Sequence, residues 1–179
     1  MILDTVGLYI QPDPRFIGCD AMSRSNPDAS LRTRLAGGAI RRLGLLRRAM
    51  TLGVRAVVFD AGGRVFLVRH TYVAGWYLPG GGVERGEDAG DALARELKEE
   101  GRIRLTGAAD LFGLYRNAGR DHVACYIVRD FVQDGAKAPD REIAEAGFFA
   151  PDALPEGATR ATRARLAEIL DGAPQSPRW

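Results

Sequence analysis

The sequence predicts an α/β (α+β) fold, a mixed sheet with helices packed on its faces, preceded by an N-terminal helical extension. Three observations carry this reading. Valine-rich or alternating segments are separated by turns containing Gly and Asp. An acidic amphipathic stripe at residues 89–100 stands between an Asp cap and a Gly stop, as a helix does. A second helical stripe follows at residues 159–170. Two strands, a helix, three strands and a helix in that order suit one mixed sheet with a helix against it.

Residues 1–29 show no stable period and contain QPDP and SRSNPD, both coil signals, so a loosely ordered segment is expected. Residues 30–50 change character. Leu31, Leu35, Ala39, Leu43, Leu46 and Met50 recur three or four apart, Ser30 is placed to cap, and Arg32, Arg34, Arg41, Arg42, Arg47 and Arg48 surround the stripe. Such a basic amphipathic helix docks on the body of the protein or on a second copy in a homodimer. Anionic membrane and nucleic acid are the other surfaces it suits. Residues 51–172 form the expected main domain and 173–179 a C-terminal tail.

Within that domain, residues 54–59 and 64–69 read as a hairpin around the turn Asp60-Ala61-Gly62-Gly63. Residues 76–78 are a short extended piece before Pro79. Asp88 caps the helix beginning at Ala89, and Asp91 completes a capping-box-like pair. Gly101 is placed to stop it. Residues 103–116 and 122–131 alternate as strands about a turn at 117–120, and residues 146–150 form a further strand. One helical turn is expected at 151–154 before the last helix.

A chain of 179 residues with 27% charged residues fits one globular domain with an appendage. No run of 18 apolar residues is present, so no membrane-spanning helix is expected. Asp4 and the lack of a basic start argue against a secretory signal. Cys19 and Cys125 lie too far apart for a metal-type pair, which leaves two reduced thiols and a cytoplasmic setting. Residues 1–55 hold nine arginines and four aspartates, the remainder 16 basic and 19 acidic residues. A basic head therefore joins a mildly acidic body.

The chemistry concentrates in GGGVERGEDAGDALARELKEE, residues 80–100. Glu96, Glu99 and Glu100 stand at i, i+3 and i+4, on one side of a helix and within about 5–6 Å of each other. Carboxylates this close repel unless a cation sits among them, and Mg²⁺ prefers oxygen ligands and shares its shell with substrate phosphate. The glycines Gly80, Gly81 and Gly82 allow a sharp turn that brings a bare carbonyl to the cation. Arg95 can bridge the acids to that loop, while Leu93 and Leu97 face the sheet. The string RELKEE alone also suits a solvated helix held by pairs worth about 0.2–0.5 kcal/mol each. The spacing back to the glycines shifts the balance: five residues separate Gly81 from Glu87, and seven separate Glu87 from Arg95.

Residues 81–103 resemble the signature box of the Nudix hydrolases through Gly81, Glu87, Arg95, Glu96, Leu97, Glu99, Glu100 and Ile103. The box departs once: its late glycine stands at Gly101, and Arg102 occupies the position expected to be Gly. Either the helix ends one residue early or Arg102 takes a strained conformation. The approach at residues 76–81 and the segment 145–149 are also similar to the family, so the likeness covers about residues 51–171.

The resemblance implies a Nudix-type β-α-β sandwich. It also implies Mg²⁺-dependent hydrolysis, with Mn²⁺ as a substitute, of a pyrophosphate bond in a nucleoside diphosphate linked to X. By position, the Gly80 carbonyl, Glu96, Glu99 and Glu100 are implied as metal ligands, with Glu96 as ligand or general base. Arg95 is implied to orient the acids and Glu87 to support the loop. Glu142 or Glu145 is the candidate for a further ligand or base from a later loop. The substrate expected is a small nucleotide: a nucleoside triphosphate, a nucleotide sugar or an ADP-ribose type. Arg69, His70, Tyr77 and Tyr115 are its candidate binding residues. Two other readings are removal of pyrophosphate from RNA 5′ ends, with residues 32–55 gripping the strand, and a non-catalytic nucleotide sensor. The intact set of glutamates argues against the sensor.

Overall fold

The computed structural model describes residues 50–179. The loosely ordered segment at 1–29 and the basic helix expected at 30–50 fall, apart from Met50, outside the described residues. The elements are β1 (Thr51–Val58), β2 (Val65–His70), α1 (Ala89–Gly101), β3 (Ile103–Leu105), β4 (Asp110–Arg116), β5 (Asp121–Val128), β6 (Phe131–Gln133), β7 (Ile143–Phe149) and α2 (Arg160–Leu170). Mixed strand pairing and two helices bear out the α+β expectation. In one sheet β5 lies between β1, to which it runs parallel, and β4, to which it runs antiparallel. β2 pairs with β7 and β3 with β6, both antiparallel.

The expected hairpin of β1 and β2 does not form. The turn between them is as read: Asp60 Oδ1 accepts from the Gly62 and Arg64 N–H groups at 3.0 and 2.8 Å. The strands then bridge only at Phe59 and Val65 and part. Both edges of β1 are already taken. β5 lines one edge from Thr51 to Val58. Along the other runs the glycine loop, with Val54 N–H donating to Gly81 O (2.8 Å), Ala56 N–H to Pro79 O (2.9 Å) and Val83 N–H to Leu52 O (2.9 Å). Sequence alternation could not show that a loop would displace a strand.

Three further expectations change in detail. The segment 103–116 breaks into β3 and β4, because Thr106 N–H donates to Asp130 O at 2.9 Å and turns the chain. The segment 122–131 likewise divides into β5 and the start of β6. Residues 151–154 make a turn closed by Ala153 N–H to Ala150 O at 2.9 Å, without helix.

Strand alternation feeds two cores. Val54, Ala56, Val58, Phe66 and Val68 pack with Ala92, Leu93 and Leu97 of α1. Val57, Phe59, Val65 and Leu67 pack with Tyr115, Cys125 and Leu166 of α2. Burial of Leu93 and Leu97 fixes the roll of α1 and so fixes which edge of the helix the glutamates occupy. The C-terminal residues 173–179 are more than a tail. Arg116 N–H donates to Pro177 O and Trp179 N–H to Arg116 O, both at 3.0 Å, so the segment straps β4.

At the exit of α1, Asp88 caps the start by accepting from Gly90 and Asp91 N–H, and Arg102 ends the helix in the left-handed region at φ 55°. Of the two exits the sequence left open, the strained arginine is the one adopted. Gly101 stays necessary for another reason: a Cβ there would lie 2.9 Å from both the Phe66 ring and Ile103 Cδ1. Left-handed backbone costs an L-residue roughly 1–2 kcal/mol, partly offset because Gly has more freedom to lose. Arg102→Gly is therefore expected to stabilise the protein by up to about 1 kcal/mol and raise its thermal midpoint. A lowered midpoint in calorimetry would contradict the strain.

Candidate active site

The loop at residues 79–83 lies along β1, and α1 presents its acidic edge to that loop. Gly80 has φ 134°, and a Cβ there would fall 2.1 Å from Val54 O; a Cβ on Gly81 would fall 2.2 Å from Glu96 Oε1. Gly80 is thus demanded by its close approach to a strand, while a side chain at Gly81 would push the Glu96 carboxylate aside.

Arg95 locks the arrangement. Its Nε donates to Glu87 Oε1 at 2.9 Å and its Nη2 to Glu87 Oε2 at 3.0 Å, a bidentate pair. Its Nη1 donates to Glu96 Oε1 at 2.7 Å and its Nη2 also to the Gly82 carbonyl at 3.0 Å. Glu99 Oε2 is 3.6 Å from the same guanidinium. The hydrogen bonds from Arg95 hold Glu87 below the usual carboxylate range, and Glu87 in return accepts from Glu84 N–H at 3.0 Å.

Glu100 is treated differently. It is 3% exposed, and its Oε2 accepts from Gly80 N–H at 2.7 Å. Burial pushes its carboxyl up to about 7, against the pull of the Gly80 hydrogen bond and the nearby Arg55. The sequence places Arg55 only at the end of the basic stretch 32–55, with no role at this site. Its Nη1 donates to Leu78 O at 3.1 Å and also to Gly80 O, the carbonyl expected to face the metal. The available signal was a lone charge inside a valine-rich strand, VRAVV.

Glu96, Glu99, Glu100 and Glu142 line one recess of about 340 Å³, joined by Lys137 and Asp140. Lys137 pairs with Asp140, whose Oδ1 accepts from Glu142 and Ile143 N–H at 2.9 and 2.7 Å. That turn carries Glu142 to the recess. Glu145 is placed otherwise, paired with Arg69 at 2.5 Å on the β2–β7 surface. Hard oxygen donors clustered around one buried carboxylate suit a divalent cation such as Mg²⁺.

The expected substrate residues divide. Arg69 and His70 line a shallow cleft with Thr71, Tyr72 and Val73. The Tyr77 ring lies 5.7 Å from that of His70, and its hydroxyl donates to Ala74 O at 2.8 Å. Burial holds the His70 imidazole below its usual range, so its 3.7 Å approach to Glu100 is not an ion pair at neutral pH. Tyr115 is not at the recess. It is fully buried beneath α2, donates to Glu168 Oε2 at 2.9 Å, accepts from Gln175 at 2.8 Å, and is covered by Arg165 at 4.0 Å. Alternation along β4 turns it into the second core.

The raised Glu100 carboxyl binds its proton more tightly in the folded protein than in the unfolded chain. Its contribution to stability is complete below about 4.5 and is lost as pH rises through about 7. Without divalent metal, Glu100→Gln should remove this loss and be more stable than the parent at pH 8, by about 1–3 kcal/mol. Denaturant titrations at pH 5 and pH 8 measure it. A variant less stable than the parent at pH 8 would contradict the burial cost.

Residues 50–170 match the family model of the NUDIX domain. A "MutT-like protein" of Streptomyces ambofaciens is 32% identical over 123 residues, 69% of this chain and 79% of that protein. The crystal structure of a MutT NUDIX hydrolase from Burkholderia pseudomallei superposes with a TM-score of 0.60 at 26% identity, covering 68% of this chain and 98% of the other. An ADP-ribose pyrophosphatase from Streptococcus suis shares the fold at TM-score 0.52 and 23% identity, over 73% and 96% of the two chains. A signature box placed on a strapped loop and a clamped helix, and these matches across the same residues, lead to one conclusion: the chain belongs to the Nudix hydrolase family.

Proposed function

We propose that this chain hydrolyses a pyrophosphate bond in a nucleoside diphosphate linked to X, using Mg²⁺ or Mn²⁺, and releases a nucleoside monophosphate. The observation that carries the reading is the convergence of Glu96, Glu99 and Glu100 on one recess, beside a glycine loop tied to Glu96 through Arg95 and to Glu100 through Gly80 N–H. Glu96, Glu99, Glu100 and the Gly80 carbonyl are the residues that would hold the ion. Bound there, a divalent ion offsets the negative charge of the pyrophosphate oxygens.

The chain's own residues supply the rest. Arg95 engages Glu96 Oε1, which leaves Oε2 either to join in holding the ion or, as the base, to take a proton from water. The water oxygen forms the new bond to phosphorus, the bridging P–O bond breaks, and the departing phosphate carries X. Arg55 donates to Gly80 O; with a cation held by that carbonyl, its guanidinium would be available to substrate phosphate. Arg69, in the cleft with His70, and Tyr77, whose ring packs near His70, are the candidate contacts for the nucleotide. The small-nucleotide class remains as expected from the sequence: nucleoside triphosphate, nucleotide sugar or ADP-ribose type. The setting proposed is cytoplasmic, in keeping with the unpaired, buried Cys125. Among the described residues no helix is long and apolar enough to cross a membrane.

A panel of these nucleotides with Mg²⁺ or Mn²⁺, read by release of nucleoside monophosphate and of the phosphorylated X, tests the proposal. At least one should be cleaved. Glu99→Gln should slow that cleavage by about 10²–10⁴-fold with the fold retained, because Glu99 is 60% exposed and supports no core contact. Binding without cleavage of any member would instead favour the sensor.

A further inference from the structure

His70 ends β2 at a bulge: the register with β7 shifts between Arg69 and His70. Bulges re-aim the side chains beside them. Here the imidazole is 7% exposed, and its Nδ1 has no hydrogen-bond partner among the described residues. Its Nε2 faces Glu100 Oε1 at 3.7 Å, beyond hydrogen-bond length. A buried polar ring left this way is costly unless something else completes it.

The same bulge brings in a third donor. Thr71 N–H donates to Glu142 O at 2.9 Å, so the residue after β2 is stitched to the residue before β7. Asp140 fixes the Glu142 backbone from the other side. As a result, donor atoms of His70, Glu100 and Glu142 lie within 4.8 Å of one another. Donors around one small divalent ion stand about 3–4 Å apart, given bonds of about 2.0–2.2 Å. Small rotamer changes close the difference.

We propose that His70, Glu100 and Glu142 form an imidazole-bearing cation position that shares Glu100 with the oxygen-only set of Glu96 and Glu99. One nitrogen beside two carboxylates disfavours Mg²⁺, which favours oxygen donors and holds its water, and admits a first-row transition ion such as Mn²⁺. At this position the chain therefore prefers Mn²⁺ to Mg²⁺. His70 thereby becomes a metal ligand, where the sequence suggested a substrate contact. The inference rests on the proposed function, because Glu100 belongs to both sets.

The test is electron spin-echo spectroscopy of the full chain loaded with Mn²⁺ alone, beside calorimetric titrations with Mn²⁺ and Mg²⁺. The expected result is a directly bound ¹⁴N signal. It disappears in His70→Gln, together with at least about a tenfold loss of Mn²⁺ affinity. Mg²⁺ affinity in that variant changes by less than about twofold. Glu142→Gln, on an exposed turn, should weaken Mn²⁺ while keeping the nitrogen signal. Bound Mn²⁺ without nitrogen coupling overturns this inference and leaves the hydrolase reading standing. Coupling that survives in His70→Gln belongs to His122 and also overturns it. No Mn²⁺ or Mg²⁺ uptake at all would overturn both readings.

Discussion

The hydrogen bond from Gly80 N–H to the buried Glu100 carboxylate is the contact on which the rest of the site depends. It joins the loop along β1 to the helix that carries the acids. It also holds one carboxylate out of water, where a negative charge is expensive without a cation. Every other feature of the recess either permits that contact or compensates it. The positive φ of Gly80 lets its N–H turn to the helix, and the space at Gly81 admits Glu96. Arg95 draws Glu87, Glu96 and the Gly82 carbonyl into one clamp, so the loop cannot drift from the acidic edge.

Arg55 gives the recess a second balance. Its guanidinium lies on the Gly80 and Leu78 carbonyls, and its charge draws the Glu100 carboxyl downward while burial draws it upward. An arginine tethered at the Gly80 carbonyl offsets part of the negative charge of the acidic cluster beside it. The cost falls elsewhere on the same ring of residues, since Arg55 also opposes protonation of His70. Glu142 acts in the opposite sense on that imidazole. The recess is thus a set of competing charges that a divalent cation would reorder.

Much of this was legible in the residues. Fixed spacing on a helix determines which side chains share an edge, so Glu96, Glu99, Glu100, Arg95 and the loop glycines could be read directly. Asp88, the second helix at 160–170 and the turn before β5 follow from local chemistry and were likewise readable. What failed was non-local. The hairpin reading missed that loop 79–83 would occupy the edge of β1. Tyr115 reads as a substrate contact in sequence because no local signal says which face of β4 meets Arg165 and Trp179. The approach of Glu142 to His70 needed the β2–β7 register and its bulge, two segments about seventy residues apart in the chain. Arg102 showed the reverse case: the displaced glycine was visible, and only the backbone could say which residue bore the strain.

A cation that binds the buried Glu100 carboxylate must displace its proton. Burial pushes the Glu100 carboxyl up to about 7, so near pH 7 about half of the molecules would give up a proton on taking a divalent cation there. Calorimetry of the full chain with Mn²⁺, in buffers of different ionisation enthalpy, should show release of about half a proton at pH 7 and almost none at pH 9. Uptake of metal with no proton released at either pH, or no uptake, would contradict a cation bound at the buried end of this helix edge.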